Sequence, residues 1–151
     1  MLIDQPELLH KLYGDVVLPP AVLDELSAKN TPEKVKAWLG KGHGWLRVED
    51  VDATIVETVS ADLDPGEREA IALAQTLRAD YLIIDDQEGR RQALDRKLNV
   101  VGPLGVLDRG DQQGLIEDFP GLLENLERAG FRMESSLKAL LQERHRQRRN
   151  G

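Results

Sequence analysis

Residues 63–91 read LDPGEREAIALAQTLRADYLIIDDQEGRR, and this stretch decides the fold. Asp64 is a good helix N-cap, Pro65 suits the first helical position, and Glu67 stands where a capping-box glutamate would. Ala70, Ile71, Leu73, Ala74 and Leu77 then recur as one apolar stripe at helical spacing. Arg78, Ala79 and Asp80 turn the chain. Tyr81-Leu82-Ile83-Ile84 is a continuous apolar run, the pattern of a parallel strand covered on both faces. Asp85 and Asp86 end it. Ligands in open α/β sheets bind at the carboxyl ends of strands, so two carboxylates stand where a site is expected.

On the N-terminal side, residues 4–13 read as a helix capped by Asp4 and ended by Gly14. Val16-Val17-Leu18 reads as a short strand stopped by Pro19-Pro20, and residues 21–28 as a helix. A further helix opens at Thr31-Pro32 and runs to Leu39. Gly40, Gly42 and Gly44 form a loose connection without phosphate-loop spacing. Trp45 to Val48 reads as a strand, and residues 50–62 carry no clear pattern. On the other side, residues 87–98 read as a helix with Ala93, Leu94 and Leu98 inward. Residues 99–101 read as a strand, and Val106 and Leu107 lie on a helix after Gly102-Pro103. Residues 119–129 and 134–145 are two amphipathic helices. Strands alternating with helices predict a three-layer α/β/α fold with a mostly parallel sheet. The expectation is a single domain over residues 1–151, with a C-terminal helical extension from 118. The chain opens on a helix, so a parallel sheet would need its first strand from elsewhere or from a partner chain.

Composition narrows the function. The chain has 151 residues, no cysteine, 4% aromatic residues and a formal net charge of −7. The core must be aliphatic, and disulfides, thiolate metal sites and cysteine nucleophiles are excluded. No apolar run approaches the roughly 18 residues of a membrane span, and there is no signal-peptide pattern, so the expectation is a cytoplasmic protein with no membrane partner. The negative charge counts against a simple nucleic-acid binder but not against a metal-dependent nuclease, whose site is itself acidic. Arg144, His145, Arg146, Arg148 and Arg149 crowd the tail. They read as a solvated helix end or as a phosphate-contacting arm.

Glu25, Glu67, Glu69, Asp85 and Asp86 form the candidate acidic set. Each has a plain structural reading as well: Glu67 and the aspartate pair can be caps, and Glu25 can face solvent. Glu67 nevertheless lies above Ile71 and Ala74 on the apolar stripe, which points its carboxylate toward the sheet. Clustered carboxylates repel unless a cation neutralises them, and an all-oxygen donor set suits Mg²⁺ or Mn²⁺. His10, His43 and His145 are scattered in sequence and are given no ligand role. A phosphoacceptor regulator shares only the aspartate pair and lacks the rest of its site.

With these residues in hand, the chain resembles the PIN-domain-like nuclease superfamily, in a branch known as a domain of unknown function and related to VapC-type toxins. The matching pieces are LYGDVVLPPAVLDEL, LDPGEREAIALA, ADYLIIDDQEGRRQA, NVVGPLGVLDRGDQQGLI and the tail helix after GFRMESSLKALL. The resemblance implies a parallel sheet flanked by helices and an acidic pocket that binds Mg²⁺ or Mn²⁺ for cleavage of single-stranded RNA. It implies a toxin that pairs with an antitoxin protein and forms a homodimer. It places the catalytic acids at Glu25, Glu67 and Asp86, with Glu69 and Asp85 as further metal-binding neighbours. Arg90 or Arg91 takes the nucleic-acid-binding basic position. Relatives open on a strand carrying an aspartate ligand; here Met1 falls in what matches the helix after it. The expectation is a chain lacking that strand, which counts against activity. The alternative is a non-catalytic nucleic-acid-binding or protein-assembly module on the same fold.

Overall fold

The computed structural model describes residues 7–28, 33–128, 130 and 133–150, with the backbone alone at 34. The expected caps at Asp4 and Pro6, the turn at 30–32, and Ala129 and Phe131 lie outside the described residues. The order is α1 (Glu7–Tyr13), β1 (Val16–Leu18), α2 (Pro20–Leu26), α3 (Glu33–Gly40), β2 (Leu46–Val48), α4 (Ala53–Thr58), α5 (Pro65–Leu77), β3 (Leu82–Ile83), α6 (Gln87–Asp95), β4 (Val100–Val101), α7 (Pro103–Gln112), α8 (Phe119–Arg128) and α9 (Ser135–Asn150). Contacts divide the chain into two compact units, residues 1–103 and 104–151.

The first unit is α/β with parallel strands, as the alternation of elements implied. Its strands pair two by two. β1 runs parallel to β2 with Val17 opposite Arg47, and β3 runs parallel to β4 with Ile83 opposite Val101. The core gathers Val59, Leu63, Ile71, Ala74, Leu82, Ile84 and Ala93, with Leu98 and Val100 packed against it. Ile71 and Ala93 are fully buried. Deleting such side chains from a close-packed interior costs about 2–5 kcal/mol for isoleucine to alanine, so the α5 stripe is the chief apolar anchor of this unit.

Two expectations about burial are corrected. The run 81–84 is not covered on both faces. Leu82 and Ile84 are buried, while Tyr81 and Ile83 are 42% and 38% exposed. Leu82 and Ile84 donate their N–H groups to Asn99 and Val101, so β3 has β4 on one edge and shows the alternation of a half-buried strand. The Tyr81 ring is tilted against that of Tyr13, 5.4 Å between centroids. Leu94, expected inward, is 56% exposed, because α6 turns Ala93 to the core instead. The unassigned stretch 50–62 holds α4, started by Asp52, whose side chain accepts from the N–H of Thr54.

The second unit is helical, and it corrects the reading of the tail. His145 is buried and its Nδ1 donates to both carboxylate oxygens of Asp111 at 2.9 and 3.0 Å. Arg148 donates to Asp111 and to Asp108, both at 2.7 Å, and Arg144 pairs with Asp108 at 3.1 Å. Arg146 stays on the surface with Glu143. Most of the tail's cationic groups therefore tie α9 to α7, because α7 presents two buried carboxylates that need partners. No helix among the described residues is long and apolar enough to cross a membrane.

Candidate functional site

The site lies in the first unit, at the start of α5 and of α6. The first N–H groups of a helix have no partner within it, and in α5 each can be traced. Pro65 has none. Gly66 donates to the Glu25 carboxylate, which reaches across from α2. Glu67 donates to Asp64 Oδ1 at 2.8 Å, and Arg68 to the Asp64 carbonyl at 3.0 Å. The start of α5 is thereby surrounded by the carboxylates of Glu25, Asp64 and Glu67. Asp86 is the N-cap of α6 and accepts from the N–H of Gly89 at 2.8 Å.

These acids act on one another's charge. The Glu67 carboxyl is pushed up to about 7, first by its burial and then by the charges of Asp64 and Asp86; a hydrogen bond with Asp64 and the charge of Glu25 add to this. Burial, and then the charge of Asp64, also raise Glu25, against the opposing pull of the Gly66 N–H. Asp64 was legible in the sequence only as a cap. Its place three residues before Glu67 was the signal that it also belongs to the acidic set.

Glu69 is brought elsewhere. Its Oε1 accepts from the N–H of Ala21 at 3.0 Å. The N-cap of α2 is Pro19, which offers no side-chain acceptor, and Pro20 has no N–H, so Ala21 is the first donor in need of one. Thus α2 and α5 cap each other: Glu25 serves α5 and Glu69 serves α2. Asp85 is exposed just beyond β3. Of the two candidate arginines, Arg91 is held on the outer face of α6 by Glu88 and by Asp95, the latter at 3.3 Å. Arg91 in turn holds the Glu88 carboxyl down at about 2. Arg90 goes the other way. Its Nη1 lies 2.8 Å from where a Cβ on Gly102 would stand, beside the Ile84 carbonyl, at the carboxyl ends of β3 and β4. A side chain at 102 would displace it.

His10 and His43 are not scattered in space. His10 stacks on Trp45 at 5.1 Å and His43 on Trp38 at 3.9 Å, near the start of β2. His10 Nδ1 bonds to the Gly14 carbonyl and His43 Nε2 to that of Trp38. Among the described residues, no three acidic or imidazole groups stand together as a ready-made metal cage. What the acids at α5 and α6 offer is an all-oxygen donor set under mutual repulsion, which fits a hard divalent cation in chemistry.

The position of Glu67 gives a pH test. An unfolded glutamate titrates near about 4.3, and the folded one near about 7. Between those values the folded chain keeps a proton that the unfolded chain has released. The stability this carries is complete below the lower value and is lost as pH rises through the upper one. With chelator present, the Tm of the wild type is expected to fall from about pH 5 to about pH 8 relative to Glu67→Gln, whose side chain cannot ionise. Parallel profiles in the two proteins would show that Glu67 is not held among acids.

Comparison with known proteins agrees with the α/β fold. Residues 1–146 match the family model DUF3368, described as a PIN domain. No curated protein and no solved structure matched the chain. The match spans both units. The chain therefore belongs to the PIN domain family, which has a nuclease-type fold.

Proposed function

We propose that this protein is a divalent-metal-dependent ribonuclease acting on single-stranded RNA, with Glu25, Glu67 and Asp86 as its principal acids. The observation that carries the reading is Glu67, raised to about 7 among Asp64, Asp86 and Glu25. A group of carboxylates that repel one another around the starts of α5 and α6 is the arrangement a cation relieves. PIN domains generally use divalent metals. Mg²⁺ or Mn²⁺, held by these oxygens, would lower the pKa of a bound water and stabilise charge on the phosphate.

The residues divide the work. Glu67 must give up its proton for the donor set to become fully anionic. Asp86 holds its position by accepting from the first turn of α6, and Glu25 by accepting from the first turn of α5. Glu69 is engaged with α2, and its role is to fix the α2–α5 pair. Arg90, unlike Arg91, lies at the strand ends and takes the RNA phosphate.

The full chain, incubated with Mn²⁺ or Mg²⁺, is expected to cleave single-stranded RNA and to stop when EDTA is added. Arg90→Ala should weaken RNA binding and lower its salt slope by about 1, the mark of one lost phosphate contact. Arg91→Ala should leave both close to wild type. Metal-independent cleavage, no cleavage at all, or equal effects of the two arginines would count against the assignment.

Pairing with an antitoxin, and the toxin role itself, extend this reading. A homodimer has its own support in Tyr81 and Ile83, apolar residues exposed just before β3 and on it. Light scattering on the full chain is expected to give twice the monomer mass; a monomer at every concentration would remove the dimer.

A further inference from the structure

The Glu25 carboxylate lies where a side chain on residue 66 would begin. An ideal Cβ on Gly66 would lie 2.4 Å from Glu25 Oε1, 3.0 Å from its Cδ and 3.1 Å from Oε2. A carbon atom cannot stand that close to a carboxylate. The atoms met belong to the free end of a side chain and not to backbone, so a Cβ here would move the carboxylate and leave the helix in place. Gly66 is not among the residues whose backbone is left-handed, so turn geometry does not call for glycine here. It sits in the first turn of a helix, where alanine would otherwise be favoured. Space for Glu25 is what remains to explain it.

We propose that Gly66 is a positioning residue of the acidic site, a cleared seat that brings the Glu25 carboxylate onto the start of α5 and so within reach of the cation held by Glu67 and Asp86. This rests on the cation reading above. Glu25 starts on α2, and Glu67 and Asp86 on α5 and α6, so no local spacing in the sequence brings them together. The seat does it in two ways. The Gly66 N–H supplies the hydrogen bond that fixes the carboxylate, and the missing Cβ supplies the room. Any larger residue at 66 removes the room and leaves α2 and α5 with their other contacts, including the Glu69 cap on Ala21.

The test is Mn²⁺ affinity, read by electron paramagnetic resonance of the free ion, for the full-length wild type, G66A, E25A and the double variant. G66A is expected to weaken binding about tenfold, as displaced ligand supports do. E25A should do the same, and the double variant should bind no more weakly than E25A, because both act through one carboxylate. Amide hydrogen exchange without metal gives a separate readout. The Gly66 amide should be protected in the wild type and exchange at least about tenfold faster in E25A. Unchanged Mn²⁺ affinity in G66A, or a further loss when it is added to E25A, would overturn the proposal. An unprotected Gly66 amide in the wild type would do so as well. A wild type that binds no Mn²⁺ is a different failure: it removes the cation reading and this role with it, even if exchange shows Glu25 seated.

Discussion

Asp86→Asn is expected to reduce metal-supported RNA cleavage by on the order of 100-fold or more, equivalent to about 2.7 kcal/mol of transition-state stabilisation. The substitution is chosen because it separates charge from shape. Asp86 has two tasks: it caps α6 by accepting from the Gly89 N–H, and it contributes charge to the group around Glu67. Asparagine is as good an N-cap as aspartate, so the first task survives and Tm stays close to wild type. The second is lost, and with it an anionic oxygen for the cation. Loss of Asp86's charge also relieves Glu67, whose carboxyl should then titrate lower than in the wild type. Cleavage at the wild-type rate in Asp86→Asn would remove this residue from the site. Loss of activity together with loss of the fold would show that capping, not charge, was its contribution.

Asp111→Ala has a large expected effect on stability, about 3 kcal/mol. The Asp111 side chain is 6% exposed and accepts from both His145 and Arg148. Truncation leaves a buried imidazole N–H and part of a guanidinium without their acceptor, and removing one member of a buried charge pair is the costly case. Arg148 is 23% exposed at its side chain and keeps Asp108, which sets the expectation at the lower end of the range. The measurement is amide hydrogen exchange along α9 together with denaturation of the full chain. α9 should lose protection in Asp111→Ala and keep it in Arg146→Ala, whose partner Glu143 is on the same exposed face. A change below about 1 kcal/mol would mean that the network adds little beyond the packing of Phe119 against His145.

How much of this was legible in the sequence differs from element to element. The stretch 63–91 was read correctly as a capped helix, a strand and a further helix, because Asp64 and Pro65 are local signals; that Asp86 of the aspartate pair caps the second helix was only one of the readings open. The helix after Asp52 went unread, since six residues do not repeat a stripe; its only sign was the cap itself. Burial of β3 was misjudged because an apolar run does not reveal how many neighbours its strand will have. The placing of Glu25, Glu67 and Asp86 at element ends came from the family likeness and from strand-end position, and the repulsion on Glu67 is consistent with it. The fate of Glu69 was hidden, although Pro19-Pro20 left a clue: a helix opening on tandem prolines has no cap of its own and must borrow one. The role of Gly66 and the burial of the tail were beyond reach, since each depends on a contact between residues tens of positions apart.

The claim on which the rest depends is that carboxylates from α2, α5 and α6 close on one divalent ion. Anomalous diffraction at the manganese edge from crystals grown with Mn²⁺ tests it most directly. The account predicts one strong peak at bonding distance from Glu67 and Asp86, with Glu25 beside it on the Gly66 seat. A peak elsewhere, or none at saturating Mn²⁺, would contradict it.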